Sequence, residues 1–308
     1  MGRRNKKGRN LTGIIIIDKP TGRSSNHVLQ QVKRLFDAKK AGHTGSLDPL
    51  ATGVLPICLG EATKVSSYLL DGDKRYQVTC QLGVTTDSGD SDGKVVAELL
   101  VPEITEKSLL ALLPRFMGQQ QQVPPMYSAL KFQGQPLYKL ARQGIEVERK
   151  SRTVMIHDII LISHTLDSFT LEVSCSKGTY IRTLVEDISL AMNTGGHVIM
   201  LRRIESAGYA IAQSVSIESL EKIAEQGLAA LDELLLPTEH ALPSWPSVEA
   251  DDQQVIALRM GQQIQVKQAY ESGQIRLFDR LGRFLGLGEM SETGTISPKR
   301  VFVVEDSL

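Results

Sequence analysis

The stretch best suited to chemistry lies between residues 41 and 64 and reads AGHTGSLDPLATGVLPICLGEATK. Its first half sets three glycines and one proline around a single carboxylate, Asp48, a mixture that disfavours both helix and regular strand. Pro49 restricts the backbone of Asp48 to extended conformations, so we expect a shaped loop that aims this carboxylate. An aimed carboxylate can attack an electrophile or accept a proton. The same residues also fit a glycine-rich turn in which Asp48 only caps the loop.

Neighbouring segments are predicted to position this loop. The apolar run Val54 to Leu59 indicates a buried strand on which the loop is mounted, and Gly13 to Asp18 indicates a second buried strand. Ser24 or Ser25 can cap a helix that ends near Phe36.

Lys74 to Gly83 alternates apolar and polar residues, as a half-buried strand does, and places Tyr76 on the apolar face. That tyrosine fits core packing, and it also fits an aromatic ring at a sheet edge that stacks on a base. Two further strand-like runs, at 152–163 and 169–176, lead into a helix that begins near Tyr180 and Arg182, close to the positive end of the helix dipole.

Residues 123–150 have a different character, with prolines and glycines around one short helix. Cations alternate there with aromatic residues: Lys131, Lys139, Arg142, Arg149 and Lys150 with Tyr127, Phe132 and Tyr138. This interleaving is what a flap that grips RNA would use. An amphipathic hairpin packed on the body is an equally good interpretation.

The composition is that of an ordinary globular protein, with 41% hydrophobic and 23% charged residues. No apolar run approaches the roughly 20 residues that a membrane span needs, and the basic N-terminus lacks a signal-peptide core, so we expect a cytoplasmic protein without a membrane partner. The three cysteines are far apart in apolar runs, which fits buried thiols in a reducing compartment.

The net charge is zero, but it is unevenly distributed along the chain. Residues 1–80 contain 14 Lys and Arg against 6 Asp and Glu, a net of +8, whereas residues 211–308 contain 8 against 15, a net of −7. The N-terminal part is therefore the candidate face for a polyanion. Residues 1–10 carry five of these cations and are either a tail that touches phosphates or a solubilising tail.

Metal and nucleotide sites have little support. Residues 85–93, TTDSGDSDG, resemble a calcium loop, but the EF-hand alignment puts Ser88 at the first ligand position and Leu99 where the bidentate Glu belongs. A polar hairpin loop is the better interpretation. The six histidines show no ligand spacing, and there is neither a G-x-G-x-x-G motif nor a Walker loop.

Six blocks of sequence together resemble one protein family. They are D-K-P-T-G at 18–22, G-H-T-G-S-L-D-P-L-A-T-G-V-L-P at 42–56, G-E-A-T-K at 60–64, D-K-R-Y at 73–76, S-K-G-T-Y-I-R-T at 176–183 and L-R-R at 201–203. In this order they are similar to the TruB family of bacterial tRNA pseudouridine synthases, which act on uridine 55. The resemblance runs from about residue 11 to the C-terminus, although the segment 248–308 matches only in character.

The resemblance implies an α+β fold. A mixed, mainly antiparallel sheet, the pseudouridine synthase fold, would form the catalytic domain, and a small β-rich PUA-like domain would follow it. We therefore expect a basic tail at 1–10, a catalytic domain at 11–247 with an RNA-gripping insertion near 123–150, and a PUA-like RNA-binding domain at 248–308. Helical spacing at 216–235, a proline-rich link and short alternating runs after it agree with the last boundary.

The resemblance also implies a reaction. Uridine 55 in the T-loop of tRNA leaves its stack, its N1–C1′ glycosidic bond is cleaved, and C5 is joined to C1′. No electrons or groups enter or leave, so neither cofactor nor metal is expected. The expected partner is tRNA through its T-arm stem-loop, and no obligate protein partner is implied.

Site residues follow by position in the blocks. Asp48 matches the family's catalytic aspartate, and Arg182 matches the arginine that pairs with it. Such a pair would keep Asp48 ionised and oriented in a dry pocket. Lys19 and Lys64 are expected to support the site by touching phosphates.

Four further residues are expected to contact the substrate. Tyr76 and Tyr180 match the aromatic residues against the flipped uracil, and Leu201 matches an apolar wall of its pocket. His43 matches the residue that fills the gap left by the extruded bases.

Two rival functions belong to other classes. A non-catalytic tRNA-binding or folding factor could use the same surface, but pure binding does not need Asp48, Tyr76 and Arg182 to be intact. A retaining glycoside hydrolase would need a second carboxylate about 5 Å from Asp48, and no nearby candidate stands out in the sequence.

Overall fold

The computed structural model describes residues 8–266 and 271–302. Most of the predicted basic tail, 1–10, lies outside these residues. In the described part of the chain, no helix is long and apolar enough to cross a membrane.

Helices and strands alternate irregularly along the chain. The α-helices are α1 (Ser25–Leu35), α2 (Ser66–Asp71), α3 (Glu106–Leu112), α4 (Leu137–Ala141), α5 (Ile181–Ala191), α6 (Ile217–Ala224), α7 (Leu228–Asp232) and α8 (Asp252–Arg259). Short 3₁₀-helices span Gly60–Lys64, Leu113–Phe116, Ile211–Gln213 and Thr238–Ala241. The strands are β1 (Gly13–Lys19), β2 (Ala41–His43), β3 (Thr52–Leu59), β4 (Lys74–Leu82), β5 (Val84–Thr86), β6 (Val95–Glu98), β7 (Gly118–Gln122), β8 (Lys131–Phe132), β9 (Gln135–Pro136), β10 (Arg152–His164), β11 (Ser168–Cys175), β12 (Gly196–Ser206), β13 (Tyr209–Ala210), β14 (Val215–Ser216), β15 (Ser247–Ala250), β16 (Ile264–Gln265), β17 (Gly273–Asp279), β18 (Phe284–Met290) and β19 (Thr295–Val301).

One large sheet organises the part of the chain that precedes β15. Its strand order is β14-β1-β3-β12-β4-β11-β10-β7, with β2 paired to β3 and β13 to β12. The β1–β14 and β3–β12 pairs are parallel and the others are antiparallel. This arrangement confirms the predicted α+β class with a mixed, mainly antiparallel sheet.

The run of isoleucines in β1 is buried on both faces of this sheet. Ile15 and Ile17 pack with α1 and α6, whereas Ile14 and Ile16 pack with α2 and with side chains of the C-terminal sheet. A strand covered on both faces needs no polar alternation, which explains its uniform composition. Helix α5 covers another part of the sheet, where Leu184, Val185 and Ile188 join a core with β4, β11 and β12.

One helical prediction was only partly correct. The helical pattern at 216–235 is broken into α6 and α7 by Gly227, whose φ of 105° L-residues rarely adopt.

A second sheet lies near the C-terminus, with strand order β15-β17-β18-β19-β16 and α8 packed beside it. Leu287 and Phe302 from this part join the core that contains Ile14 and Ile16, so the two sheets share apolar contacts. The β-rich character expected after residue 247 is therefore present.

Candidate active site

The loop that carries Asp48 connects β2 to β3. Gly53, at the start of β3, has a φ of 102°, and a β-carbon there would lie 2.2 Å from the carbonyl oxygen of Arg203. Only glycine therefore lets β3 lie beside β12 at this point, where Gly53 and Arg203 are register partners. The glycine fixes the loop against the centre of the sheet.

The turn between β1 and α1 holds the other side of this loop. The backbone N–H of Gly22 donates to the carbonyl of Pro49 at 2.8 Å. The buried hydroxyl of Ser25 accepts from the N–H of Leu47 at 2.7 Å and donates to its carbonyl at 3.1 Å. The Gly22 bond ties the D-K-P-T-G block to a loop that follows it only after α1, and the Ser25 bonds tie the start of α1 to the same loop.

Lys19 completes this clamp from inside the protein. Its side chain is fully buried, and its ammonium group donates to the carbonyls of Ala51 at 2.6 Å, Pro20 at 2.8 Å and Pro49 at 3.3 Å. The expectation that Lys19 touches a phosphate was therefore wrong, because its donors are already committed to the loop. Burial lowers the pKa of Lys19 to about 8, and the nearby Asp48 partly opposes that shift.

The Asp48 carboxylate lies 3.0 Å from Nη2 of Arg182. The same guanidinium, on the first turn of α5, donates to the carbonyls of Ser88 and Tyr127, each at 2.7 Å. The Arg182 side chain is 4% exposed, whereas that of Asp48 is 40% exposed and faces an open pocket. The pair expected from the sequence is therefore present, with the arginine behind and the carboxylate in front.

Asp90 is a second carboxylate at this arginine, and sequence reasoning missed it. Its Oδ2 lies 3.4 Å from Nη1 of Arg182, and its Oδ1 accepts from the Ser88 hydroxyl at 2.5 Å. Residues 85–93, considered only as a calcium loop and then as a polar hairpin, thus place a buried anion behind Arg182. Because both Asp90 oxygens are engaged and buried, this carboxylate is poorly placed to be the free acid that a retaining glycosidase needs.

Opposing effects set the protonation of Asp48. Burial raises the pKa of this carboxylate above its usual range, Arg182 lowers it, and Asp90 raises it again. Desolvation disfavours the charged form, so Arg182 is the main group that keeps Asp48 ionised.

Three other predicted residues face the same pocket. Tyr76 on β4, Leu201 on β12 and Tyr180 at the N-terminal end of α5 line a cavity of about 400 Å³ together with Asp48 and Arg182. That volume is in the range of small-molecule sites. The cavity therefore offers one carboxylate, two phenol rings and an apolar wall.

Gln122, at the end of β7, holds Tyr180 in place. The Tyr180 N–H donates to Oε1 of Gln122 at 3.0 Å, and Nε2 donates to the Tyr180 carbonyl at 3.3 Å. Gln122 is buried, and the guanidinium of Arg152 lies 4.8 Å from the centre of the Tyr180 ring. The glutamine tract 119–122 carried no functional signal in the sequence.

The structure does not bring His43 and Lys64 into the pocket. His43 ends β2, outside the cavity lining, and burial lowers its pKa. Lys64 pairs with Glu61, donates to the carbonyl of Val301 at 2.6 Å and lies over the ring of Phe302. Its ammonium therefore links the 3₁₀-helix Gly60–Lys64 to β19. The phosphate contact expected of Lys64 stays a prediction.

Among residues 8–266 and 271–302, no group of three or more His, Cys, Asp or Glu side chains is arranged to hold a metal ion. All three cysteines are free and buried.

Solved structures with this fold contain the protein Cbf5. The chain matches one in a Cbf5-Nop10-Gar1 complex with a TM-score of 0.71 at 24% identity, over 94% of this chain and 85% of that one. It matches another in an H/ACA RNP bound to a substrate RNA containing 2′-deoxyuridine with a TM-score of 0.72 at 22% identity, over 96% and 86%. The chain thus shares its fold with these structures.

Family models cover most of the chain. Residues 33–181 match the TruB family pseudouridylate synthase N-terminal domain, 182–243 the tRNA pseudouridylate synthase B C-terminal domain, and 246–302 the pseudouridine synthase II TruB C-terminal model. Curated relatives named tRNA pseudouridine synthase B are 52% identical over 96% of both chains in Nitrosococcus oceani, and 49% identical over 95% of this chain and 96% of the other in Pseudomonas aeruginosa. The chain belongs to the TruB family of pseudouridine synthases.

Proposed function

We propose that this protein isomerises uridine 55 in the T-loop of tRNA to pseudouridine. Family membership and near-full-length similarity to relatives named tRNA pseudouridine synthase B support the activity. The observation that carries it to this chain is the Asp48 carboxylate, 3.0 Å from Arg182 on the floor of an open pocket walled by two tyrosines.

In this proposal the pocket residues have complementary tasks. Moving a uracil out of its stack costs a few kcal/mol. Stacking and edge contacts with the rings of Tyr76 and Tyr180 offset this cost. Leu201 supplies an apolar wall. Asp48 faces the sugar and base as the reactive carboxylate, and Arg182 keeps it ionised and oriented. His43, outside the pocket, fills the gap that the extruded nucleotides leave.

The activity is tested by release of tritium from unmodified tRNA carrying C5-labelled uridine, because joining C5 to C1′ expels that hydrogen. We expect release of one tritium per tRNA from position 55 and formation of pseudouridine at that site. The same assay on a T-arm minihelix and on an anticodon minihelix tests the substrate, with release from the T-arm only. A binding factor or a glycosidase would release no tritium from C5.

Asp48→Asn tests the site, because the amide keeps the size of the carboxylate without its charge. We expect loss of pseudouridine formation, with tRNA affinity within a few fold of the unaltered protein. Thermal unfolding provides the control for folding. Normal turnover by this variant would remove Asp48 from the reaction.

A further inference from the structure

A second arginine lies at the floor of the same pocket. Arg203 on β12 is only 1% exposed, yet it is part of the cavity lining. It is the direct register partner of Tyr76 on β4, so the two side chains leave the sheet on the same face. Its Nε donates to the carbonyl of Val54 at 2.7 Å and its Nη2 to the carbonyl of Gly45 at 3.1 Å.

Arg203 differs from the neighbouring arginines in having no anionic partner within the described part of the chain. Arg182 faces two carboxylates, and Arg202 makes a two-pronged ion pair with Asp18 at 2.7 and 3.1 Å. Among the described residues, no carboxylate lies within ion-pair distance of Arg203, and its hydrogen-bond partners are two backbone carbonyls and the phenol of Tyr76. Burying a guanidinium without a counter-charge costs free energy. The resulting positive field can stabilise an anion in the pocket.

That field is felt by other groups around the pocket. Burial lowers the pKa of Lys74, another lining residue, to about 8, and Arg203 adds to this shift. Burial raises the pKa of the Tyr76 phenol, and Arg203 is the largest opposing influence. His43, whose pKa burial lowers, also feels the guanidinium. The uncompensated charge therefore acts over the floor of the cavity.

We propose that Arg203 stabilises the negative charge that develops on uracil when its glycosidic bond breaks, an inference that rests on the proposed function. The electron pair of the N1–C1′ bond leaves with the base, so the detached uracil is an anion with its charge shared among N1, O2 and O4. The sugar carbon is left electron-poor and faces Asp48. When C5 bonds to C1′, the C5 hydrogen is lost as a proton and N1 gains one, which restores a neutral base.

The division of labour follows from the charges. The positive charge of Arg182 is more than balanced by its two carboxylates, and Arg182 serves the sugar side of the pocket through Asp48. Arg203 is not neutralised, so it can serve the base side. A fixed charge aimed at a developing anion in a desolvated site is worth far more than one in water.

The leaving group provides the test. Fluorine at C5 withdraws electrons and makes the uracil anion more stable by itself, so 5-fluorouridine needs less help from the protein. We would measure single-turnover cleavage of the glycosidic bond, by nuclease digestion and mass spectrometry, on tRNA with uridine or 5-fluorouridine at position 55.

For Arg203→Gln, whose amide can still bond a carbonyl of the loop, we expect a roughly 100-fold slower reaction with uridine. The factor by which the same variant slows the reaction with 5-fluorouridine should be at least fivefold smaller. Arg202→Gln is the matched control, since it removes an arginine charge one residue away on the same strand. Its ratio of the two rates should equal that of the unaltered protein.

Equal losses on both substrates would mean a purely structural role and would overturn the proposal. Should Arg203→Gln fail to fold, Arg203→Lys is used, which keeps a charge but loses the planar fork. For this variant we expect a smaller but measurable rise in the ratio of the 5-fluorouridine rate to the uridine rate. An unchanged ratio overturns the proposal. If the unaltered protein forms no pseudouridine, the proposed function fails; if it does and only the ratio stays constant, this inference alone fails.

Discussion

At the scale of single residues, Arg182 does more than neutralise Asp48. Its guanidinium joins the Asp48 loop to the carbonyl of Ser88 in the 85–93 hairpin and to that of Tyr127 in the flap. One planar group with several donors in fixed directions can satisfy these partners together, whereas a lysine ammonium cannot. The position of Asp48 and its charge state therefore depend on the same side chain.

Arg182→Lys should move the acid side of the pH–rate profile to higher pH. Burial raises the pKa of Asp48 and Arg182 lowers it, so a poorer cation partner leaves that pKa still higher. The reactive form is the ionised carboxylate, which is lost as pH falls through this pKa. The rate ratio of the unaltered protein to the variant, measured in single turnover, should thus be larger at pH 6 than at pH 8. A constant ratio would argue against the pairing as the source of ionisation.

Lys19→Met should destabilise the protein without changing how salt affects tRNA binding. Three carbonyls lose their ammonium donor, which we expect to lower the free energy of unfolding by about 1–3 kcal/mol. Chemical denaturation measures this loss, and the exposed Lys39→Met serves as a control that should stay within about 0.5 kcal/mol. If tRNA affinity instead depended less on salt in Lys19→Met, Lys19 would have to contact a phosphate in spite of its burial.

At the scale of elements, strand β7 has an unexpected function. It is the edge strand next to β10 and consists of glycine and four glutamines. Its last residue, Gln122, turns back to bond both backbone groups of Tyr180. The edge of the sheet thus sets the N-terminal end of α5, and α5 in turn carries Arg182.

Gln122→Leu should slow the reaction more than it alters the fold. The two bonds to Tyr180 are lost, and the small displacement of a pocket ring that follows should lower the single-turnover rate roughly 10-fold. Gln121→Leu is the matched control, because Gln121 is exposed and its side chain bonds Thr153 at 2.8 Å, away from Tyr180. Similar rates in the two variants would show that Tyr180 does not depend on the edge strand.

For the molecule as a whole, charge is distributed unevenly along the chain. Residues 1–80 have a net charge of +8 and residues 211–308 a net of −7. The pocket opens among residues of the first sheet, α5 and the flap at 123–150. Phosphates of an RNA substrate are therefore expected to meet the N-terminal part and the flap rather than the acidic C-terminal part.

Binding of unmodified tRNA should weaken at least 10-fold between about 50 and 200 mM salt, because counterions are released from the phosphates that the protein neutralises. Lys139→Gln in the flap, where the lysine is exposed, should reduce the slope of log affinity against log salt by about one. Lys299→Gln should leave the slope unchanged, since Lys299 already pairs with Glu289 at 2.6 Å. A flat titration would contradict the charge argument.

Local patterns in the sequence were sufficient for much of this architecture. The Ser24 cap of α1, the strands β1, β3 and β4, and the face of β4 that carries Tyr76 follow from capping and periodicity over a few residues. The prediction that failed also did so for a physical reason. Lys19 looks like a surface cation because sequence position says nothing of the carbonyls that folding brings to it.

From the sequence alone, Asp48 could be located in a glycine-rich loop, and the six blocks could be matched to a family. Folding is needed to bring Asp90 behind Arg182 and Gln122 to Tyr180. It also buries Arg203 under the pocket, where none of the described residues places a carboxylate within ion-pair distance. The partners in such contacts are far apart in the chain, by 94 positions for Ser88 and Arg182. Their meeting depends on strand order and register across the sheet, and hydrophobic periodicity within one strand fixes neither.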